Sequence, residues 1–426
     1  MSDRSNASKS IAVICRRSLF RRVHMWAAFI ASPFAIVAVL TGLFYLATPQ
    51  IEHWLYGSLE HVVPEGRPHP LDELVAAAVQ QAPIGAQLNS VFISPSDDTS
   101  VKVLFTLPKA KQITLYVNPY TAKVIGILAE EDRFSVWAKK LHSRLLQGES
   151  WRWMIELAAS WLLVMLFTGV YLWWPFAGNS ALPTSKVKPG YQWSRWHGFV
   201  GVALCALTFI MLSTGITWSK YAGSQVRALR DYVGQAPPQA PNNLSSALKF
   251  GVDMMSWQTA FNTARRLTPN VAMQLTPPTS ETGVWRVVSA DKSKPLRKFE
   301  LVMDAYTGAP LYFAGWRQLT VFAKATAVGI PFHRGELGLW NQGLLMVFAL
   351  GLSFSIVSGW CSYFARLRQA KVRLPVVLPG ALQAIPMSIW LLGVVLVVLL
   401  PLLAISAMLV LLIEGYLFTM QRRSLK

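Results

Sequence analysis

The chain carries four histidines at the edges of apolar runs, and their positions repeat along the sequence. His24 leads one run and His197 leads another, and a Thr-Gly pair follows each of them 17 residues later. His142 and His333 each precede a further apolar run that contains its own Thr-Gly or Ser-Gly pair. Neutral imidazole is the commonest side-chain metal ligand. The repeated spacing therefore predicts metal coordination at the ends of membrane-length segments.

The composition is that of a membrane protein. Of 426 residues, 53% are hydrophobic and only 14% are charged, which is unlike a soluble domain. The net charge of +19 follows the excess of lysine and arginine in the cytoplasmic loops of polytopic proteins, so we expect no nucleic-acid partner. The three cysteines form no C-x-x-C-H motif, and this excludes covalent attachment of a c-type haem.

Apolar stretches of about 20 residues are long enough to cross a bilayer, and they divide the chain. We expect four core spans and a C-terminal apolar segment, with the short basic segments in the cytoplasm and the two long polar segments in the periplasm. The C-terminal segment is too long for one upright helix and barely enough for two, so a single span or a hairpin stays open, with the single span slightly favoured. The predicted order is a cytoplasmic N-terminus (1–24), a first span (25–47), a periplasmic domain (48–150), a second span (151–176), a cytoplasmic loop (177–197), a third span (198–219), a second periplasmic domain (220–336), a fourth span (337–365), a cytoplasmic loop (366–385), the C-terminal span (386–418) and a tail (419–426).

Each periplasmic segment contains the same succession of signals. A helix-like stretch comes first, at 71–82 or 244–267, and three short runs with alternating polarity follow it. The last run ends at a turn, NPYTA in one segment and DAYTG in the other, and Ala122 in place of glycine leaves room for the first turn to differ. The order of histidine, span, small α+β domain, histidine and span thus occurs twice, at about 21–175 and 195–365. This indicates a parallel internal duplication about an axis along the membrane normal.

Such an axis brings equivalent histidines face to face, His24 with His197 at the cytoplasmic side and His142 with His333 at the external side. Two facing imidazoles suit the axial positions of a haem iron, and surroundings without cysteine or nearby acids argue against a zinc or di-iron site. An isolated interfacial histidine is usually an ordinary amphipathic residue, so this hypothesis depends on the repeat. Basic residues beside the histidines are candidates for binding haem propionates: Arg22, Arg195 and Arg334, with Arg21 and Arg144 nearby.

Several motifs, in this order, resemble the PepSY-associated transmembrane family. They are RRVHMW…LTG, LYVNPYTAKVIG…LHSRLLQG, WSRWHGFVG…STG and VMDAYTGAPL…FHRGELG, and together they cover roughly residues 15–365. Similar proteins include inner-membrane siderophore reductases with two b-type haems. The resemblance implies PepSY-like periplasmic domains and two haem b groups per chain, with the four histidines at the ligand positions. The C-terminal apolar segment departs from a four-span pattern, so the role of residues 374–426 stays open.

These features favour an inner-membrane electron-transfer protein. Electrons from a separate donor, quinol or a cytoplasmic reductase, would cross through two haems and reduce a ferric siderophore or another ferric chelate outside, which releases the iron. One alternative is a cofactor-free, membrane-anchored regulator of a peptidase, because PepSY modules also resemble such domains. A transporter is a further alternative, although the spans show no charges at mid-depth and no clear breaks.

Overall fold

The structure is a computed structural model that describes residues 2–174, 189–249, 251–268, 270–370 and 374–424. The predicted cytoplasmic loops fall partly outside these residues, since 177–197 is described only from 189 and 366–385 lacks 371–373. The chain divides into two compact units. The helical unit comprises Met1–Leu43, Lys140–Val233 and Gly343–Lys426, and the sheet unit comprises Phe44–Lys139 and Gly234–Gln342.

The helices occupy most of the apolar sequence. In chain order they are α1 (Ser2–Leu46), α2 (Thr48–Glu60), α3 (Leu71–Gln81), α4 (Phe134–Arg144), α5 (Trp153–Trp173), α6 (Pro189–Ala203), α7 (Cys205–Ile216), α8 (Ala222–Tyr232), α9 (Trp257–Leu267), α10 (Val321–His333), α11 (Leu339–Ala370), α12 (Met387–Leu399) and α13 (Pro401–Ser424). Among the described residues, four helical stretches are long and apolar enough to cross a membrane by length and composition. They are 11–60, which covers most of α1 and all of α2, 149–173, 339–368 and 401–420.

A fifth candidate span is broken. The helices α6 and α7 pass the same test together but bend by 61° across Leu204, so the prediction of unbroken spans is wrong here. Leu204 packs against Gly351 of α11, where an added Cβ would lie 2.8 Å from the leucine Cδ1 atom. Because Gly351 has no side chain, α11 can approach Leu204 closely, and this leaves room for the bend between α6 and α7.

The C-terminal apolar run divides at Leu400. Because proline lacks an N–H and disfavours a helical conformation in the preceding residue, Pro401 starts a new helix instead of continuing α12. Of these two helices, α13 alone is long enough to cross a membrane by itself. Leu400 and Leu403 are buried with Ala27 and Ala31 of α1, so the C-terminal segment is part of the core of the helical unit.

The sheet unit contains one antiparallel sheet. Its described strands are β1 (Gln87–Ile93), β2 (Val101–Thr106), β3 (Gln112–Val117), β4 (Val124–Ala129), β5 (Met273–Thr276), β6 (Val284–Ser289), β7 (Phe299–Asp304) and β8 (Pro310–Gly315). Their order is β4-β3-β2-β1-β5-β6-β7-β8, so two four-stranded meanders join where Val91 of β1 pairs with Leu275 of β5. Helix α3 buries Leu74 and Ala78 in the first core, and α9 buries Ala260 in the second.

The predicted helix at 244–267 is wrong in its first half. Helix α9 begins only at Trp257, after Ser256 accepts a hydrogen bond from the amide of Thr259. The described residues before it are not helical. The amide of Ser246 instead donates to the carbonyl of Thr282 (2.9 Å), and the amide of Ala247 donates to Asp304 (3.1 Å). Tertiary hydrogen bonds therefore take the amides that a helix would have used.

The three strands predicted in each segment are present, and a fourth follows each turn. The two turns share a backbone hydrogen bond: Ala122 donates to the carbonyl of Asn118 (3.0 Å), and Gly308 donates to that of Asp304 (3.1 Å). Ala122 has a φ of 51° and Gly308 a φ of 69°. Ala122 therefore adopts the left-handed conformation that glycine was expected to supply, and the first turn does not differ.

Candidate functional site

Two of the predicted ligands face each other inside the helical unit. His24 lies in α1 and His197 in α6, and both are half-buried. Their ring centroids are 6.1 Å apart with an angle of 73° between the ring planes. The chain separates these residues widely, so helix packing alone brings the two imidazoles together.

The Nδ1 atom of each ring is engaged by a neighbouring helix. His197 Nδ1 lies 2.8 Å from the carbonyl oxygen of Ser355, which can only accept, so this nitrogen carries the proton. His24 Nδ1 lies 3.0 Å from the hydroxyl of Thr168, and that hydroxyl donates its own proton to the carbonyl of Val164 (2.7 Å). His24 is therefore also protonated on Nδ1. In both rings the lone pair of the neutral imidazole is on Nε2, the nitrogen left for a metal.

Glycines lie against both rings. A Cβ added at Gly169 would lie 3.3 Å from Cε1 of His24, and one added at Gly359 would lie 3.0 Å from Nδ1 of His197. Two of the small-Gly pairs that recur in the sequence, Thr168-Gly169 and Ser358-Gly359, therefore lie against histidine side chains from other helices. Sequence reasoning found the pairs but did not assign them this role.

His142 repeats the arrangement in the same unit. Its Nδ1 atom lies 3.1 Å from the hydroxyl of Thr41, which donates to the carbonyl of Val37 (2.8 Å). A Cβ on Gly42 would lie 3.4 Å from Cε1 of His142. His142 is thus held in the same tautomer, with Nε2 available.

His333 is the last residue of α10 in the sheet unit and is half-buried. His142 belongs to the helical unit and His333 to the sheet unit, and their pairing stays a prediction of the sequence repeat.

Arg22 binds the C-terminal segment. Its guanidinium forms a bidentate ion pair with Glu414 of α13, with N–O distances of 2.7 and 3.0 Å, and it donates to the carbonyl of Pro375 (3.0 Å). Trp26 donates to the same carboxylate. Segments on both sides of α12 therefore fix the turn of α1 that carries His24, and this gives residues 374–424 a structural role that the sequence left open.

The other two predicted arginines have different surroundings. Arg334 in the sheet unit donates to the hydroxyl of Tyr45 (2.6 Å) and forms an ion pair with Glu336 (2.9 Å). Arg195 lies in α6, two residues before His197, and is half-buried. The propionate role that the sequence suggested for Arg22, Arg195 and Arg334 stays a prediction.

Sequence reasoning missed Arg366 of α11. Its Nε atom donates to the carbonyl of Ser362 (3.2 Å), and its charge interacts with both His24 and His197. Arg21 also lies close enough to interact with it electrostatically. Within the described part of the chain no carboxylate pairs with Arg366. Two neighbouring cations beside a pair of imidazoles form an environment that favours an anion.

The histidine pair has few other candidate ligands. In the ranges that the structure describes, no group of three or more His, Cys, Asp or Glu side chains is arranged to hold a metal ion. The arrangement can therefore offer two axial nitrogens to a metal, and the remaining ligands must come from elsewhere.

The apolar helices and the separate antiparallel sheet define a polytopic α-helical membrane protein with a β-sheet domain. A comparison with curated proteins gives no significant match. The chain belongs to the family described as the PepSY-associated TM region, whose model matches residues 21–366.

Proposed function

We propose that the protein binds haem between His24 and His197 and carries electrons through the membrane. The observation that supports this most strongly is the facing pair itself. Two imidazoles that each bind one iron through Nε2 at about 2 Å have ring centroids about 6 Å apart, and the measured separation is 6.1 Å. The engaged Nδ1 atoms leave Nε2 of each ring for the iron.

The number of protein ligands favours a tetrapyrrole over a bare metal ion. A structural zinc site takes four protein ligands, whereas a bis-histidine haem takes two because the porphyrin supplies the other four. The described residues around the pair offer two. Metal-binding histidines usually donate their other ring N–H to a neighbouring group, which fixes the tautomer and the orientation of the ring. The Nδ1 atoms of His24 and His197 have such hydrogen bonds.

The basic residues nearby suit the carboxylates of haem b. Arg366, with Arg21 beside it, is the best candidate for binding a propionate, because its charge acts on both rings and no described carboxylate neutralises it. Arg22 is a weaker candidate than the sequence suggested, since Glu414 already holds its guanidinium. When bound, haem supplies an iron that changes between ferric and ferrous states. The chain's own residues hold the axial nitrogens, fix their tautomers and balance the propionate charge.

A second haem between His142 and His333 would complete an electron path from one membrane face to the other. The equivalent environments of His24 and His142, each with a threonine hydroxyl on Nδ1 and a glycine at Cε1, support equivalent roles. The internal duplication is part of the same proposal, supported by the two meanders of matching strand order.

The proposed substrate is a ferric siderophore or another ferric chelate. By the distribution of basic residues we place the N-terminus in the cytoplasm, the sheet unit in the periplasm and the spans in a bacterial inner membrane. Reduction of the iron to the ferrous state weakens its hold in a chelator built from hard oxygen ligands, and so releases it. A separate protein or quinol supplies the electrons.

Visible spectra of the purified protein test the proposal. We expect about two low-spin b-type haems per chain, with His24→Ala and His197→Ala each losing one and His69→Ala, a histidine outside the repeat, losing none. Ferric siderophore added to the dithionite-reduced, desalted protein should reoxidise it. A colourless protein from haem-replete cells would contradict the proposal and favour the cofactor-free peptidase regulator.

A further inference from the structure

A cavity lies between α6 and α11, the two helices that hold His197, in the helical unit. It has a volume of about 500 Å³ and is lined by Gln192, Trp193 and Trp196 of α6 and by Phe354 of α11. The same two helices hold His197: Trp196 precedes this histidine in the sequence, and Phe354 precedes Ser355, whose carbonyl binds its Nδ1 atom. The cavity is therefore lined by residues that are adjacent in the sequence to His197 and to Ser355.

The lining sets the chemical class of the occupant. Phe354 lies 6.5 Å from Trp193 and 6.2 Å from Trp196 between ring centroids, so three aromatic rings form one wall. Such a wall favours a flat ring, which it contacts by stacking or edge-to-face packing. The amide of Gln192 can donate to a carbonyl oxygen or accept from a hydroxyl of that ring, and the indole N–H groups of Trp193 and Trp196 are further donors.

None of the four lining side chains is charged. These four side chains therefore suit a neutral ring better than a phosphate group, which prefers a cationic side chain. The rings of Trp193, Trp196 and Phe354 are 38%, 37% and 40% exposed, on helices that form candidate membrane spans. Entry from the lipid phase suits a ligand with an apolar tail.

A second cavity provides a contrast. It has a volume of about 480 Å³ and is lined by Val13, Arg16, Phe167, Val170, Tyr171 and Trp174. Arg16 places a guanidinium in this lining, and its buried Nε atom has no hydrogen-bond partner in the described structure. This second cavity suits an anionic group, whereas the cavity beside His197 suits a neutral ring.

We infer that the cavity lined by Gln192, Trp193, Trp196 and Phe354 binds the head group of a membrane quinone. The inference deepens the proposed function, because it selects quinol over a cytoplasmic reductase as the electron donor. Oxidation of one quinol to quinone would release two protons to the solvent and two electrons, which would reduce two ferric ions to the ferrous state. The binding itself does not require haem, so the two proposals can fail separately.

Binding of decylubiquinone and of menadione to the purified full chain in detergent tests the inference. We expect Trp196→Leu and Phe354→Leu to weaken binding about tenfold, the loss of one well-packed aromatic contact. Gln192→Leu should weaken it by a smaller factor. Trp174→Leu, which changes the second cavity, should bind like the unmodified protein. Equal retention of haem and an unchanged elution volume in size-exclusion chromatography show that the variants are folded.

A photoreactive azidoquinone locates the site independently. Cross-links should map to α6 between 191 and 197 and to α11 near Phe354. Cross-links confined to α5 near Trp174, or affinities that no substitution in the cavity changes, would overturn the inference. Quinone binding to a protein that contains no haem would leave the inference standing and would contradict only the proposed function.

Discussion

The two histidines of the central pair reach the same tautomer through different parts of the chain. His24 donates to a side-chain hydroxyl, that of Thr168, whereas His197 donates to a main-chain carbonyl, that of Ser355. A hydroxyl is removed by one substitution, but a carbonyl stays when its side chain changes. The two halves of the site therefore hold the same tautomer but should differ in their sensitivity to substitution.

The glycines beside the rings should show the largest effects. A Cβ at Gly359 would lie 3.0 Å from Nδ1 and 3.1 Å from Cε1 of His197, closer than the 3.3 Å between a Cβ at Gly169 and His24. Gly359→Ala must therefore move the ring and its hydrogen bond together. We expect Gly359→Ala to lose haem about a hundredfold faster than the unmodified protein, which is the upper end of the effects of changing the groups that hold a metal ligand in place. Gly169→Ala should show a smaller increase in this rate. Transfer of haem to excess apomyoglobin measures both rates. Equal rates would show that the contact distances do not set ligand stability.

The hydroxyl of Thr168 should matter more than that of Ser355. Thr168→Val keeps the shape of the side chain and removes the acceptor for His24 Nδ1, so we expect haem affinity to fall about tenfold or more. Ser355→Ala keeps the carbonyl that accepts from His197, and its weaker hydroxyl contact of 3.4 Å is the only loss. Haem titration of the apoprotein compares the two variants. An effect of Ser355→Ala as large as that of Thr168→Val would refute the assigned acceptors.

Arg366 should have a smaller, electrostatic effect. Replacing it with glutamine removes a positive charge that acts on both rings, so the ferric state gains stability and the midpoint potential of this haem should fall. Haem should also dissociate several times faster because a propionate loses an ion pair with an exposed arginine, which contributes about 0.2–1 kcal/mol. Arg368→Gln, two residues along α11 and outside these interactions, is the matched control. Potentiometric titration followed in the visible spectrum measures the shift, and identical potentials in both variants would remove Arg366 from the site.

Local patterns predicted much of this arrangement. Apolar length predicted the spans, alternating residues predicted three strands in each half of the sheet, and the spacing from histidine to Thr-Gly singled out His24 and His197. These features depend on residues close in the sequence or on exact repetition. The fourth strand of each half was missed because Gly126 lies inside β4 and because Pro310 and Gly315 stand at the two ends of β8, and both residue types weaken a strand signal.

Contacts between distant segments could not be predicted in the same way. Nothing in the sequence around Arg22 indicates Glu414, which lies 392 positions away, and the carbonyl of Ser355 has no side-chain signature at all. The non-helical start of the segment 244–256 depends on amides that bind Thr282 and Asp304. Each of these partners is decided by packing, which propensity and periodicity do not describe.

The two turns of the sheet give the same comparison in backbone terms. Ala122 and Gly308 share a left-handed conformation, which costs an L-residue about 1–2 kcal/mol and glycine almost nothing. The side chains that accept in the two turns differ: Asn118 Oδ1 accepts from the amide of Tyr120, whereas Asp304 Oδ1 accepts from the amide of Tyr306 and also from that of Thr307. Although burial alone would raise it, these hydrogen bonds hold the pKa of Asp304 below its usual value.

Exchanging the two residues should therefore have opposite and modest effects. Ala122→Gly relieves the strain but frees the unfolded chain, so we expect the first meander to gain about 0.5–1 kcal/mol. Gly308→Ala introduces that strain, and its Cβ would also lie 3.0 Å from Thr263 and 3.1 Å from Met255, so the second meander should lose about 2 kcal/mol. Hydrogen exchange of the β3–β4 and β7–β8 amides in the full chain measures each meander separately. If Ala122→Gly destabilises β3–β4, the alanine methyl group contributes packing that outweighs its strain, and the two turns are equivalent in shape but not in energy.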